Sequence, residues 1–187
     1  PFVNQALRPT ATLRENIVST ILNPVSAVYL YASQLLLSDY SVKINAERIF
    51  AVIGNGKKRY SEIEDKLDVK KTGNLAKQMK PLRDLEIISR NHPINKLNDS
   101  KKSTFEINEN LLRFYFTFIY KNASALQVLG AEAFYDEYVA PTLTDFISRR
   151  FEGICRDYFS LQVRYGKLKG VRNIGSYYYD DPVHRKN

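Results

Sequence analysis

The sequence predicts a mainly α-helical protein with one small β-hairpin. Apolar residues recur at intervals of three and four over most of the chain, which is the spacing of helices with one buried face. Two short runs rich in β-branched and aromatic residues, Ile87–Arg90 and Thr104–Ile107, are separated by a polar stretch and predict a hairpin. A C-terminal α/β segment follows, in which residues 174–179 are predicted to form a strand.

Two helices are predicted between residue 44 and the polar turn at residues 68–71. The first covers residues 44–53 and ends at a glycine-rich turn, Gly54-Asn55-Gly56; its inward side chains are Ile49, Phe50, Val52 and Ile53. The second begins at Ser61, because Ser61 and Glu64 have the spacing of a capping box.

A third helix is predicted from about Thr72, with a buried stripe of Leu75, Met79, Leu82 and Leu85. Pro81 lies within it, lacks an N–H and is expected to kink or loosen the helix. Three helices followed by a hairpin form the arrangement of a winged helix-turn-helix, predicted over residues 43–109. The early part of the second helix of a helix-turn-helix enters the major groove of DNA.

This predicted module carries most of the chain's positive charge. Residues 57–102 contain 13 Lys or Arg and 7 Asp or Glu, a net +6 of the chain's +8. The side chains predicted to approach bases are Thr72, Asn74, Lys77 and Gln78. Those predicted to meet phosphates are Lys70, Lys71, Lys80, Lys96, Lys101 and Lys102. The alternative is that these charges only solubilise the surface or contact a protein.

The flanking segments are predicted to be helical. Thr12 is predicted to cap a helix that runs to about Leu22, with Glu15 at the third position, and a second helix lies within residues 25–37. Residues 109–120 are apolar nearly all round, which indicates a helix buried between neighbours. A short helix at 132–139 precedes a longer one opened by Pro141. The domain boundaries follow as 1–42, 43–109, 110–160 and 161–187.

Composition excludes several classes. Cys155 is the only cysteine, no secretory signal is present and no apolar run reaches the roughly 18–20 residues of a membrane span, so a cytoplasmic protein without membrane contact is expected. Residues 51–58 do not form a phosphate-binding loop, because Ala51 and Lys58 stand where glycine and Ser or Thr are required.

Four stretches together resemble one family. They are residues 12–24, residues 60–63 with 82–90, residues 105–108 with 112–120, and residues 151–156. They are similar to the C-terminal region of the archaeal-type predicted P-loop ATPases, which also occur in bacteria. In that family an ATPase domain precedes a winged helix and a restriction-endonuclease-like domain. By this resemblance, residues 1–42 correspond to the end of the ATPase lid and residues 161–187 to the start of the nuclease-like domain.

The resemblance implies a non-catalytic C-terminal part of an ATPase. The family's nucleotide-binding loop lies upstream of Pro1, so no cofactor is expected in this chain, and ATP and Mg²⁺ are implied only for the rest of the parent protein. The expected partners are DNA and the parent's own ATPase domain, and homo-oligomer formation is left open. A protein-docking role for the same module is the alternative.

A divalent-metal nuclease is the second alternative. Glu152 matches the acidic residue on the first helix of restriction-type sites, where carboxylates hold Mg²⁺. No Glu-x-Lys pair follows it. The competing interpretation is that Glu152 forms a surface ion pair with Arg156, four residues further along the helix.

Overall fold

The computed structural model describes residues 5–31, 46–56, 58–68 and 74–179. Over these residues the fold is mainly helical with one two-stranded antiparallel sheet, which confirms the predicted fold class. The regular elements are α1 (Leu13–Asn16), α2 (Ala46–Gly54), α3 (Tyr60–Leu67), α4 (Asn74–Asp84), β1 (Ile88–Asn91), β2 (Thr104–Ile107), α5 (Asn110–Phe114), α6 (Ala123–Phe134) and α7 (Ala140–Arg164). Segments of π-helix prolong α1, α5 and α6 over Ile17–Ile21, Tyr115–Ile119 and Tyr135–Val139.

Helices α2, α3 and α4 pack with the hairpin around a first core. The predicted stripe of α4 is buried at three of its four positions, while Leu85 lies beyond the end of the helix and is 64% exposed. The α4 helix also continues through Pro81 as far as Asp84. The buried side chains that the three helices contribute are Ile49, Phe50, Ile53, Ile63, Leu67, Leu75, Met79 and Leu82.

The start of α3 differs from the prediction. The helix begins at Tyr60, and the carboxylate that returns to the helix start belongs to Glu62, whose Oε2 accepts from the N–H groups of Arg59 at 3.0 Å and Lys58 at 3.1 Å. The predicted capping box of Ser61 and Glu64 is therefore wrong by two residues. The first N–H groups of a helix lack partners within it, so Glu62 stabilises this end.

The hairpin lies where the sequence predicts it. Strands β1 and β2 pair antiparallel with Ile88 opposite Ile107, and a further bridge joins Arg59 to Thr104. The polar connection between the strands, called the wing here (residues 92–103), ends in a 3₁₀ turn, Ser100–Lys102. The bridge at Arg59 attaches the start of α3 to the edge of the hairpin.

The apolar helix at 110–122, called the central helix here, lies between two cores, as predicted for a helix without a polar face. Leu112 and Phe116 belong to the first core, whereas Phe114 and Phe118 belong to a second one. Of its two basic residues, Lys121 is exposed, and Arg113 donates through Nε to the Ile107 carbonyl at 2.9 Å. Burial lowers the pKa of the Arg113 guanidinium from its usual value.

The second core joins the N-terminal and C-terminal helices. It contains Ile17, Val18, Leu22, Leu126, Phe134, Tyr135, Val139 and Leu143 in addition to side chains of the central helix. At its edge the Arg14 guanidinium contacts Glu132 at 2.5 Å and Asp136 at 2.9 Å. The Asp136 carboxylate is the main cause of the raised pKa of Arg14. The predicted cap of α1 is confirmed, with Thr12 and Glu15 bonded reciprocally.

The C-terminal third departs from the prediction at two places. Helix α6 begins at Ala123, well before the predicted start at Glu132, and has a bend at Gly130, where φ is 73°. Residues 171–179 form neither helix nor strand, so the strand predicted at 174–179 is wrong. The predicted opening of α7 by Pro141 is confirmed.

Candidate nucleic-acid interface

A basic groove lies between the start of α3, one side of α4 and the wing. Its volume is about 630 Å³. Five cationic side chains line it with one acidic side chain, Asp99, among the residues that the structure describes. The cations are Arg59, Arg83, Arg90, Lys101 and Lys102. A concave surface with this excess of positive charge attracts a polyanion, because like charges focused in a cleft raise the local potential.

Backbone contacts hold the first wall of the groove. Arg59 is bridged to Thr104 of β2 and bonded through its N–H to Glu62. Tyr60 follows on the same wall, with its ring 6.3 Å from that of Phe105. Burial raises the pKa of the Tyr60 phenol, and the neighbouring Glu64 carboxylate raises it further. The Tyr60 hydroxyl is hydrogen-bonded to that carboxylate.

The second wall is the wing, which is folded tightly. The Arg90 Nε donates to the Ser103 hydroxyl at 2.9 Å, and the guanidinium lies 5.7 Å from the Phe105 ring centroid. Ser103 is fully buried and donates in turn to the Ser100 carbonyl at 2.6 Å. Asp99 accepts from the N–H of Lys101 at 3.0 Å. These bonds present Lys101 on an ordered turn, which limits the entropy lost when it contacts a ligand.

Helix α4 offers two different surfaces. Ala76, Met79 and Arg83 line the groove. The predicted base-contacting residues Asn74 and Lys77 are exposed.

Three more predicted positions can be placed on α4 and the wing. Gln78 is half-buried. The Lys80 ammonium pairs with Asp84 at 2.6 Å in an exposed i,i+4 contact, and Lys96 is exposed on the wing. None of these three, nor Asn74 or Lys77, is among the described residues that line the groove.

Of the predicted set, Lys101 and Lys102 are brought together in the groove. Lys70, Lys71 and Thr72 lie outside the described residues. The sequence reasoning missed Arg59, Arg83 and Arg90, which complete the groove. Arg83 could have been found, because it lies seven residues after Ala76 and therefore on the same helical face.

Glu152 stands apart from this groove, on the exposed part of α7. Its Oε2 lies 4.0 Å from the nearest nitrogen of Arg156, the partner that the surface-pair interpretation names. In the described ranges no cluster of three or more His, Cys, Asp or Glu side chains could hold a metal ion.

Comparisons with known proteins place the chain near an archaeal and bacterial group. Residues 115–186 match the family DUF234, described as archaeal and bacterial proteins of unknown function. An uncharacterised protein of Methanocaldococcus jannaschii is 26% identical over 125 residues, which are 66% of this chain. The aligned part is 27% of that relative, so the chain spans about a quarter of its length. No solved structure matches the chain significantly.

The family match begins at Tyr115, so it covers α6, α7 and the C-terminal part of the second core, and it includes none of the residues that line the basic groove. Within the described ranges, no helix has the length and apolar character needed to cross a membrane. Because the family match lies outside the groove, the function of the groove must be inferred from its own geometry and charge.

Proposed function

We propose that residues 46–108 form a winged-helix module that binds duplex DNA without catalysing a reaction. The observation that carries the proposal is the groove lined by five cations and one acid. Phosphate contacts provide most of the affinity of nucleic-acid binding, and they require cations held on a concave or protruding surface.

The order of the elements supports the proposal. Three helices precede an antiparallel hairpin, and the bridge between Arg59 and Thr104 adds a third, minimal strand at the hairpin edge. A DNA duplex seated on this surface would meet α4 and the wing together. The groove-lining side of α4 would face the backbone, while Asn74 and Lys77 at its exposed start would approach base edges.

The charge arrangement sets a measurable expectation. If each of the five cations neutralises one phosphate, a plot of the logarithm of the association constant against the logarithm of the salt concentration should have a slope of about −4 to −5. Arg90 and Lys102 are less free than the others, since they donate to the hydroxyls of Ser103 and Tyr178. Lys101 is the sharpest probe, because it is exposed and its turn is held by Asp99 and Ser103.

The module would serve a longer protein. The resemblance to the archaeal-type ATPases supports a parent in which ATP and Mg²⁺ are bound elsewhere. The relative from Methanocaldococcus jannaschii, about four times as long as the aligned segment, is consistent with such a parent. In this view the groove positions the ATPase on DNA, and the chain itself needs no cofactor.

The test is fluorescence anisotropy of a labelled random duplex titrated with the protein at several salt concentrations. Lys101→Gln should weaken binding on all sequences and reduce the salt slope by about 1. The matched control is Lys121→Gln, which removes the same charge at an exposed position outside the groove. Equal slopes for the two variants would refute the role of the groove.

A docking role has one specific observation in its favour. Along α7, the side chains of Ile147, Phe151 and Ile154 recur at helical spacing and are 42%, 61% and 53% exposed. An apolar stripe of this kind fits another folded domain, such as the ATPase domain of the parent. In that case Ile154→Asp should weaken association with the ATPase domain, and the wild type should show no duplex affinity even at low salt.

A further inference from the structure

The end of α7 and the residues that follow it as far as Tyr179 are basic and rich in aromatic residues. Residues 158–179 contain four Lys or Arg and no Asp or Glu. The four cations, all exposed, are Arg164, Lys167, Lys169 and Arg172. The same stretch contains six aromatic residues, and four of these are more than half exposed: Tyr158, Tyr165, Tyr177 and Tyr179. The rest of the described chain has no comparable run.

The end of this segment is attached to the wing by specific contacts. The Ile94 N–H donates to the Ser176 carbonyl at 2.8 Å. Asn95 uses both ends of its amide, donating from Nδ2 to the Tyr178 carbonyl at 2.8 Å and accepting the Tyr178 N–H at 2.9 Å. A side-chain amide that pairs with a backbone in this way replaces one rung of a sheet. It therefore fixes the register of residues 176–178 against the wing.

The tyrosine side chains alternate in direction as a result. Tyr178 turns toward the wing, where the Lys102 ammonium donates to its hydroxyl at 2.7 Å and lies 4.2 Å from its ring centroid. Its neighbours Tyr177 and Tyr179 point to solvent, 69% and 74% exposed. Gly175 allows the close approach, because a Cβ there would clash with the Ile94 side chain. Two rings are thus held outward beside the basic groove.

We infer that Tyr177 and Tyr179 form a stacking surface for unpaired bases, next to the cations that bind the nucleic-acid backbone. Proteins that bind single strands combine a basic surface with exposed aromatic rings in this manner, because every base has a face that can stack. The segment itself supplies the exposed Arg172, which precedes the two rings in the sequence, and the wing supplies Lys101. The substrate class is single-stranded nucleic acid or a junction between duplex and single strand.

This inference rests on the proposed function, since the same wing serves both surfaces. A duplex would occupy the groove, and a displaced or adjacent single strand would follow residues 164–179. The Tyr177 and Tyr179 side chains are exposed and belong to neither core, and the contacts that attach this segment to the wing are made by Ser176 and Tyr178. Their removal should therefore leave the fold intact.

The test compares a labelled oligo(dT) of about 20 nucleotides with a duplex of the same length at low salt, by anisotropy. The double variant Tyr177→Ala/Tyr179→Ala should lose about 5- to 50-fold in oligo(dT) affinity, while its duplex affinity should change less than about 2-fold. The matched control Tyr177→Phe/Tyr179→Phe keeps both rings and should bind like the wild type.

A second variant tests the attachment. Asn95→Ala should release residues 176–178 from the wing and weaken oligo(dT) binding as well. Stronger binding by this variant would overturn the inference, since the segment would then be covering the wing. If the protein binds duplex and the double alanine variant keeps the oligo(dT) affinity of the wild type, the stacking surface is refuted while the proposed function stands. Absence of binding to both probes would refute the proposed function together with it.

Discussion

The contact between α2 and the central helix predicts a large effect of one added methyl group. Gly54 is the last residue of α2, and a Cβ built there would lie 2.7 Å from the Phe116 carbonyl oxygen and 2.8 Å from the Phe116 Cβ. Carbon atoms in contact normally stay about 3.5–4.0 Å apart. The added atom meets backbone, which cannot rotate away, so the two helices must separate or shift.

The size of the effect follows from two opposing terms. Overpacking of this kind costs about 1–3 kcal/mol. Replacement of glycine by alanine within a helix recovers up to about 1 kcal/mol, and less at the last residue of the helix. We therefore expect Gly54→Ala to lower the free energy of unfolding by about 1–2 kcal/mol, and to do so without removing any existing contact.

Gly153 offers a matched control in α7. A Cβ there would lie 3.3 Å from the nearest atom, the end of the flexible Arg150 side chain, which can move. Gly153→Ala should therefore be neutral or stabilise by up to about 1 kcal/mol. Urea denaturation monitored by circular dichroism would measure the free energy of unfolding of both variants. A Gly54→Ala midpoint equal to or above that of the wild type would refute the close helix crossing.

Two further predictions concern stability. Phe116 is 1% exposed and packs 5.3 Å from the Phe50 ring, so Phe116→Ala should cost about 3–5 kcal/mol, whereas Phe151→Ala, at a position 61% exposed, should change the midpoint little. The bond from the Thr12 N–H lowers the pKa of Glu15 below its usual 4.5, so its contribution is present above pH 4.5 and is lost as pH falls below it. Glu15→Gln should flatten that acid part of the stability curve, and an unchanged curve would exclude the cap as its source.

Much of the fold follows from local spacing. The buried residues of α2, α3 and α4 and the pairing segments of the hairpin are read from apolar periods of 3.6 and 2, because burial requires those side chains on one face. The same reasoning finds the central helix, whose lack of a polar face matches its place between two cores.

The failures have physical causes as well. Two overlapping pairs have the spacing of a capping box at the start of α3, Arg59 with Glu62 and Ser61 with Glu64. The structure uses the first pair, in which Arg59 is also bridged to Thr104. Residues 174–179 have strand-like composition, but a strand needs a partner along its length. Here a single backbone bond from Ile94 and the Asn95 amide take that place.

For the candidate site, the sequence by itself determined the position of the positive charge along the chain and the presence of a hairpin after three helices. Only the tertiary structure decided which cations meet. Arg59, Arg83 and Arg90 lie on three different elements, and Lys102 is engaged by Tyr178, 76 residues further on. Packing of the first core rotates α4 so that Arg83 faces the wing. A helical period says which residues share a face, but only the neighbouring elements determine what that face meets.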